Sequence, residues 1–543
     1  MEQPVSEQAE ESVIFGADVG GTFTDIIFVD SNKGLIVSKV PSTPDDQSRA
    51  IIDALKEIGS RAKNVSMVHG TTIATNMLLE RKGARTLLIT TDGFRDLLEI
   101  CRQNRIDLYS PPYRPIPLLP KTHRIVAKER MDAAGIPLVP LDILDLEKKI
   151  KSFADANLIP EAVAITYLFS FLNPDHEKRT EELLKRLWPS AYTSISSQVF
   201  PVFREYERTI VTTLDAYVGP GLKRYMKRLD RIGNRVKKVF IMQSNTGIST
   251  AEHLQPVRAL LSGLAGGVLG GLYTAKVTGT RAVINIDIGG TSTDVSLVRG
   301  DSVPMTNHNI IGGFPCALQS VDVVTIGAGG GSIARLDLQG LLRVGPESTA
   351  ANPGPACYGI AMIPCLTDAD IVLGYLSATN FCGGKVKIIP GRSEQAIKHF
   401  GESLGSLGPI KTALGIQRVF HANIWQAMRA VSIERGFDPR ECSLVAFGGA
   451  GPTHSCPLAE SLSITRILVP NYPGAWAAFG LLTADMKYTF SKSLLMPVDF
   501  VNFSDLEAQY KEFESRGRKQ LTDDGFDAER IHLERYADVR YHG

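Results

Sequence analysis

Two stretches of this chain carry acids, glycines and hydroxyls in the same order: DVGGTFTD at residues 18–25 and DIGGTSTD at residues 287–294. A Gly-Gly pair after an apolar run lets the backbone take φ > 0 and approach a ligand with no Cβ in the way. Thr22 and Thr24, like Thr291 and Thr293, add hydroxyl donors beside the bared N–H groups. Gly20, Gly21, Thr22 and Thr24 in the first copy, and Gly289, Gly290 and Thr291 in the second, thus make nests suited to phosphate oxygens. Asp18 and Asp287 would repel a bare phosphate, so they imply a divalent cation, such as the Mg²⁺ that accompanies nucleotides, between carboxylate and phosphate. In this reading Asp18 holds the hydrated ion and Asp287 positions the metal or the attacking group. Asp25 and Asp294, which close the two motifs, stand behind them in the same task. Two plain glycine hairpins explain a single copy well and a pair poorly. Two grips facing each other would hold a nucleotide's phosphates from both sides of a cleft.

Such turns need strands to carry them. Val13, Ile14 and Phe15 precede the first copy and Ile26 to Val29 follow it; residues 283–286 and 295–298 flank the second in the same way. Both predict strand, tight turn, strand. Elsewhere strands alternate with helices: a helix over Gln47–Ile58, strands at 86–90 and 162–167, and a helix over 205–231. This alternation predicts α/β sheets with helices on their faces. The expected organisation is a disordered lead-in at 1–12, a first α/β half at 13–200 and a second at 201–490, opening with a strand at 238–242. Residues 491–543 would begin an incomplete C-terminal domain, with a helix over 503–521 and a strand-like run over 531–541. Residues 110–120 carry five prolines and predict an irregular surface excursion.

The bulk numbers narrow the classes. With 543 residues the chain exceeds one ordinary core. A net charge of +1 and no basic run give no nucleic-acid surface. Seven cysteines without a CxxC pair predict reduced thiols, hence a cytoplasmic protein. The polar start MEQPVSEQAEES is not a signal peptide. The apolar run at 259–275 holds five glycines and is too short for a membrane span, so a closely packed buried helix is expected.

Two such hairpins in duplicated α/β halves resemble the actin–sugar kinase–Hsp70 ATPase superfamily, which uses a later Gly-Gly turn to hold adenosine. FGGAGPTH at residues 447–454 fits that turn and nominates Gly448, Gly449 and Gly451. A closer resemblance is to the hydantoinase A/5-oxoprolinase family. It rests on HGTTIATNMLLERKGAR (69–85), TTDGFRDLLEI (90–100), FREYERTIVTTLDAYVGP (203–220), IGAGGGSIA (326–334), NPGPACYG (352–359) and LTDADIVLGYL (366–376). The family usually has glycine where Cys101 stands, proline where Ile106 stands, and a glycine pair where Met362, Ile363 and Pro364 stand. The resemblance implies ATP-dependent opening of a cyclic amide, a hydantoin or 5-oxoproline. Phosphate placed on the amide oxygen makes the carbon a better electrophile, and phosphoryl transfer needs mainly alignment and charge neutralisation. It also implies a separate B-type subunit, hence a hetero-oligomer. Two rivals share the motifs: the ATP-binding subunit of an acetone/acetophenone-type carboxylase, and an actin- or Hsp70-like ATPase acting on a protein.

Other candidates compete with plainer roles. Thr71 or Thr72 caps a helix or, with His69, presents an anion or carbonyl site for substrate. Arg102, with Gln103 and Arg105, orients a polar substrate or lies in a surface loop. GAGGG at residues 327–331 lacks the third glycine of a dinucleotide fingerprint, since Ser332 fills that place. No P-loop or HExxH pattern occurs.

Overall fold

A computed structural model describes residues 14–20, 23–30, 34–42, 47–58, 65–103, 109, 116–156, 159–229, 236–379, 381–384 and 386–541. The expected lead-in at 1–12, Gly21, Thr22, Arg105 and Ile106 lie outside them, as does much of the proline-rich stretch.

Among the described residues eleven strands build two sheets of matching plan. The first contains β1 (Ile14–Val19), β2 (Phe23–Asp30), β3 (Gly34–Pro41), β4 (Val65–Thr71), β5 (Val236–Met242) and β6 (Ile248–Thr250), in the order β6-β5-β4-β1-β2-β3. The second contains β7 (Ala282–Ile288), β8 (Thr293–Arg299), β9 (Val324–Ile326), β10 (Ser443–Phe447) and β11 (Ile467–Leu468), in the order β9-β8-β7-β10-β11. β1 pairs antiparallel with β2 and parallel with β4; β7 pairs antiparallel with β8 and parallel with β10. Superposing β1 on β7 matches five strands of each sheet, neighbour for neighbour and direction for direction. The repeat in sequence is a repeat in topology, as the superfamily resemblance implied.

β5 corrects the expected boundary. It was expected to open the second half, yet it pairs in parallel with β4 of the first sheet. The first half therefore reaches beyond residue 201. A third sheet, all parallel, is inserted after β4 and orders Tyr192–Ile195, Ala162–Thr166, Thr86–Thr91 and Arg124–Ala127. The apolar sides of helices Ile143–Asp155 and Asp175–Leu187 cover it.

Two helices lie between the halves: α1 (Ser262–Thr278) and α3 (Trp476–Leu481), with α2 (Gly451–Ser461) preceding the latter. Val68, Phe240, Val268, Val283, Phe447 and Trp476, drawn from both sheets and both helices, form one buried cluster. A Cβ on Gly480 would lie 1.9 Å from Gly266 O, so α1 and α3 cross backbone to backbone. The glycine-rich run is thus a packing device, as its composition suggested. Among the described residues no helix is long and apolar enough to cross a membrane.

Residues 531–541 form no strand, contrary to the alternation read there. A strand needs a partner for its N–H and C=O groups, and none of the described strands pairs with this run. It crosses the helix Phe503–Asp523 through Arg535, which bonds Glu514 at 2.6 Å and Glu507 at 2.7 Å.

Candidate active site

The two hairpins close in the same way. Gly20 N–H donates to Phe23 O at 3.0 Å, and Gly289 N–H donates to Ser292 O at 3.0 Å. Asp18 stands opposite Asp25 and Asp287 opposite Asp294, at the equivalent register of each sheet. These four carboxylates gather at one place between the halves. Loss of water pushes Asp18 up to about 7, with the charges of Asp25 and Asp294 adding to it and Lys39 opposing. Asp287 is driven well above the carboxylate range, first by desolvation, then by Asp294, Asp18 and Asp25. Burial also raises Asp25, and it lifts Asp294 to about 6. Acids of one half thus lie near enough to those of the other to raise them.

Two partners temper this negative charge. Lys39 Nζ bonds Asp25 Oδ1 at 2.6 Å from the facing position on β3, and Thr325 Oγ1 donates to Asp294 Oδ1 at 2.6 Å. Neither partner emerges from the motif alone. Pairing β2 with β3 by alternation would have set Lys39 across from Asp25. Carboxylate oxygens of this kind suit Mg²⁺. Among the described residues no three His, Cys, Asp or Glu side chains converge enough to hold a metal by themselves. An ion here would therefore need oxygens from phosphate or water as well.

The proposed adenosine turn abuts the second hairpin because β10 lies beside β7, with Phe447 in register with Asp287. Gly448 has φ +83, and a Cβ there would come within 2.3 Å of Asp287 Oδ1. Glycine is required at that point. Gly449 is exposed, with open space where a side chain would lie, and Gly451 begins α2. The φ > 0 role assigned to the hairpin glycines is met at Gly448; Gly20 and Gly289 do not adopt it.

Several expectations change. Thr24 is buried with its hydroxyl 3.0 Å from Ser42 Oγ, and Thr293 is buried with its hydroxyl on Ala328 O. As third residues of the turn-strand junction they point inward and brace the turn from behind. Thr291 is exposed. His69 is fully buried in β4; Nδ1 lies 3.1 Å from Ala17 O and Nε2 2.8 Å from the Tyr225 hydroxyl. Desolvation lowers its pKa to about 4, so the ring is neutral and both nitrogens are engaged. Thr71 Oγ1 accepts from Ile73 N–H, and Thr72 donates to Val19 O. Thr72 is the N-cap of the helix Ile73–Leu79 but makes no side-chain cap bond and ties to the strand instead; Thr71, the last residue of β4, closes a short turn onto the first helical N–H. Arg102 is paired with Glu207 on the surface. Cys101, where the resembling family has glycine, has φ 54 and ψ −142.

Residues 14–188 match the hydantoinase/oxoprolinase N-terminal region and residues 208–490 match hydantoinase/oxoprolinase. The chain belongs to the hydantoinase/oxoprolinase family. Caprolactamase subunit alpha of Pseudomonas jessenii is 34% identical over 97% of this chain and 79% of its own length. The crystal structure of the ATP-dependent caprolactamase from that organism superposes with a TM-score of 0.81, at 33% identity over 94% of this chain and 77% of that one. Nucleotide-free acetone carboxylase, from work on ATP-dependent acetone carboxylation, also superposes at 0.81, with 27% identity over 95% of this chain and 78% of that one.

Proposed function

We propose that this chain is the nucleotide-binding, A-type subunit of an ATP-dependent cyclic amidohydrolase. One observation carries the reading: two hairpins of identical register bring Asp18, Asp25, Asp287 and Asp294 together from opposite halves, beside the Gly448 turn. Carboxylates crowded in this way would favour a divalent cation, which would sit between them and a triphosphate. Asp18 and Asp287 would hold Mg²⁺, with Asp25 and Asp294 supporting, and the ion would neutralise charge on the transferred phosphoryl group. Gly290 and Thr291 would meet phosphate oxygens, and Gly448, Gly449 and Gly451 would border adenosine.

The γ-phosphoryl group moves from ATP to the amide oxygen, leaving ADP and a phosphorylated imidate. Water adds to the activated carbon and the C–N bond opens, leaving an acyl phosphate and the freed amine; a second water then cleaves the acyl phosphate into the carboxylate and inorganic phosphate. The caprolactamase likeness favours a lactam, hydantoin or 5-oxoproline ring as substrate, and the subunit named alpha there favours a separate partner of B type. Fold similarity to acetone carboxylase is equal, so carboxylation is the second reading.

The test is phosphate release from ATP by the chain with its B-type partner. Release driven by a lactam, 5-oxoproline or a hydantoin supports hydrolysis. Release that requires a ketone and bicarbonate assigns it to carboxylation, and release coupled only to a protein client overturns both.

A further inference from the structure

The glycine-rich run at residues 327–331 is pressed against the second hairpin turn. Gly330 N–H donates to Gly289 O at 2.9 Å, and Gly331 N–H donates to Gly290 O at 2.7 Å. In a trans peptide the C=O and N–H of one unit point in opposite directions. Capturing the carbonyls of Gly289 and Gly290 on one side turns the N–H groups of Gly290 and Thr291 to the other. Both residues are exposed, and among the described residues neither N–H has an acceptor.

The run is itself braced from behind. Gly330 O accepts from Thr367 N–H at 2.8 Å and from the Thr367 hydroxyl at 2.8 Å; Thr349 N–H donates to Gly331 O at 2.9 Å. Thr367 lies in the helix Leu366–Val372, whose first turn is locked by the buried Asp368. That carboxylate accepts from the N–H groups of Ala356 and Cys357 at 3.0 Å each and from the Ser393 hydroxyl at 2.6 Å. At the first hairpin a single side chain occupies the matching place: the Ser42 hydroxyl donates to Gly20 O at 2.8 Å.

We propose that residues 327–331, braced by Thr367, form a back-plate that sets the direction of the anion-binding N–H groups in the second hairpin. Gly329 and Thr367 are then positioning residues for a nucleotide's phosphates. The inference rests on the nucleotide-cleft reading above and adds the element that orients one of its two grips.

Calorimetric titration of the full chain with ATP plus Mg²⁺, and separately with adenosine, tests it. In Gly329→Ala the new methyl would lie 2.8 Å from Gly289 O and from Thr291 N, directly on the turn. ATP affinity should fall about tenfold or more, while adenosine, which has no phosphate, stays within about twofold. Thr367→Val keeps shape and backbone bond but loses the hydroxyl bond; ATP affinity should fall roughly three- to fivefold and return in Thr367→Ser. Should Gly329→Ala fail to fold, the Thr367 pair decides. Unchanged ATP affinity, or equal losses for ATP and adenosine, overturns the back-plate and leaves the cleft standing. An unaltered chain that binds adenosine and ATP equally well overturns the phosphate cleft itself.

Discussion

Replacing Asp18 by Asn should make the nucleotide-free protein more stable, and only above acidic pH. The Asp18 carboxyl is pushed from the ordinary 3.8 to about 7, chiefly by loss of water. Because its folded value lies above the unfolded one, the protonated acid favours the folded state. That contribution is complete below the unfolded value and is lost as pH rises through the folded value. A tenfold change in proton affinity is about 1.4 kcal/mol, so ionising Asp18 in the empty cleft costs at most on the order of 4 kcal/mol. Relaxation of the protein around the charge reduces this to about 2 kcal/mol. Asn cannot ionise and escapes the penalty. Thermal unfolding of both proteins without nucleotide should therefore nearly coincide around pH 4. The gap should open between about pH 4 and 7 and reach roughly 2 °C in favour of Asp18→Asn at pH 8. Parallel stability curves across that range, or a variant less stable at pH 8, would refute the argument that this carboxylate is held under electrostatic stress. Stress of that kind is what a cation-binding site stores when its cation is not bound.

Asp287→Asn should lower ATP turnover about tenfold to a hundredfold, the loss of one charge-assisted contact, read by phosphate release. His69→Gln should cost roughly 1–3 kcal/mol of stability in denaturant unfolding while leaving the KM for the amide unchanged, because both ring nitrogens serve buried bonds. A changed KM would restore His69 to the substrate site. Cys101→Gly should raise stability by about 1 kcal/mol in the same assay, by releasing the left-handed strain at that helix end. Gly480→Ala should destabilise by about 3 kcal/mol or more, since the methyl has nowhere to go between α1 and α3; a neutral result would show that these helices move apart freely.

Much of the fold was legible because it is local. The hairpins at residues 18–25 and 287–294 are written in adjacent residues, and turn chemistry with flanking apolar runs decides such units. The helix Gln47–Ile58 followed from periodicity and length in the same way. Failures came where pairing is distant. The strand Val236–Met242 carries no mark saying which sheet it joins; its parallel partner β4 precedes it by more than a hundred and fifty residues. Residues 531–541 alternate like a strand yet pair with none.

By itself the sequence determined the repeated acid–glycine turn, the α/β class and the family, because each rests on short-range pattern or on motif identity. Only the tertiary structure decided which groups face the cleft. It turned Thr24, Thr293 and His69 inward, because a side chain's direction depends on the neighbours its strand acquires. It brought Lys39 to Asp25, Gly448 to Asp287 and the GAGGG run to the second hairpin through contacts between segments far apart in sequence. The four aspartates were visible one by one; their mutual repulsion, the property that makes them a site, exists only once two halves of the chain enclose them and water is driven out.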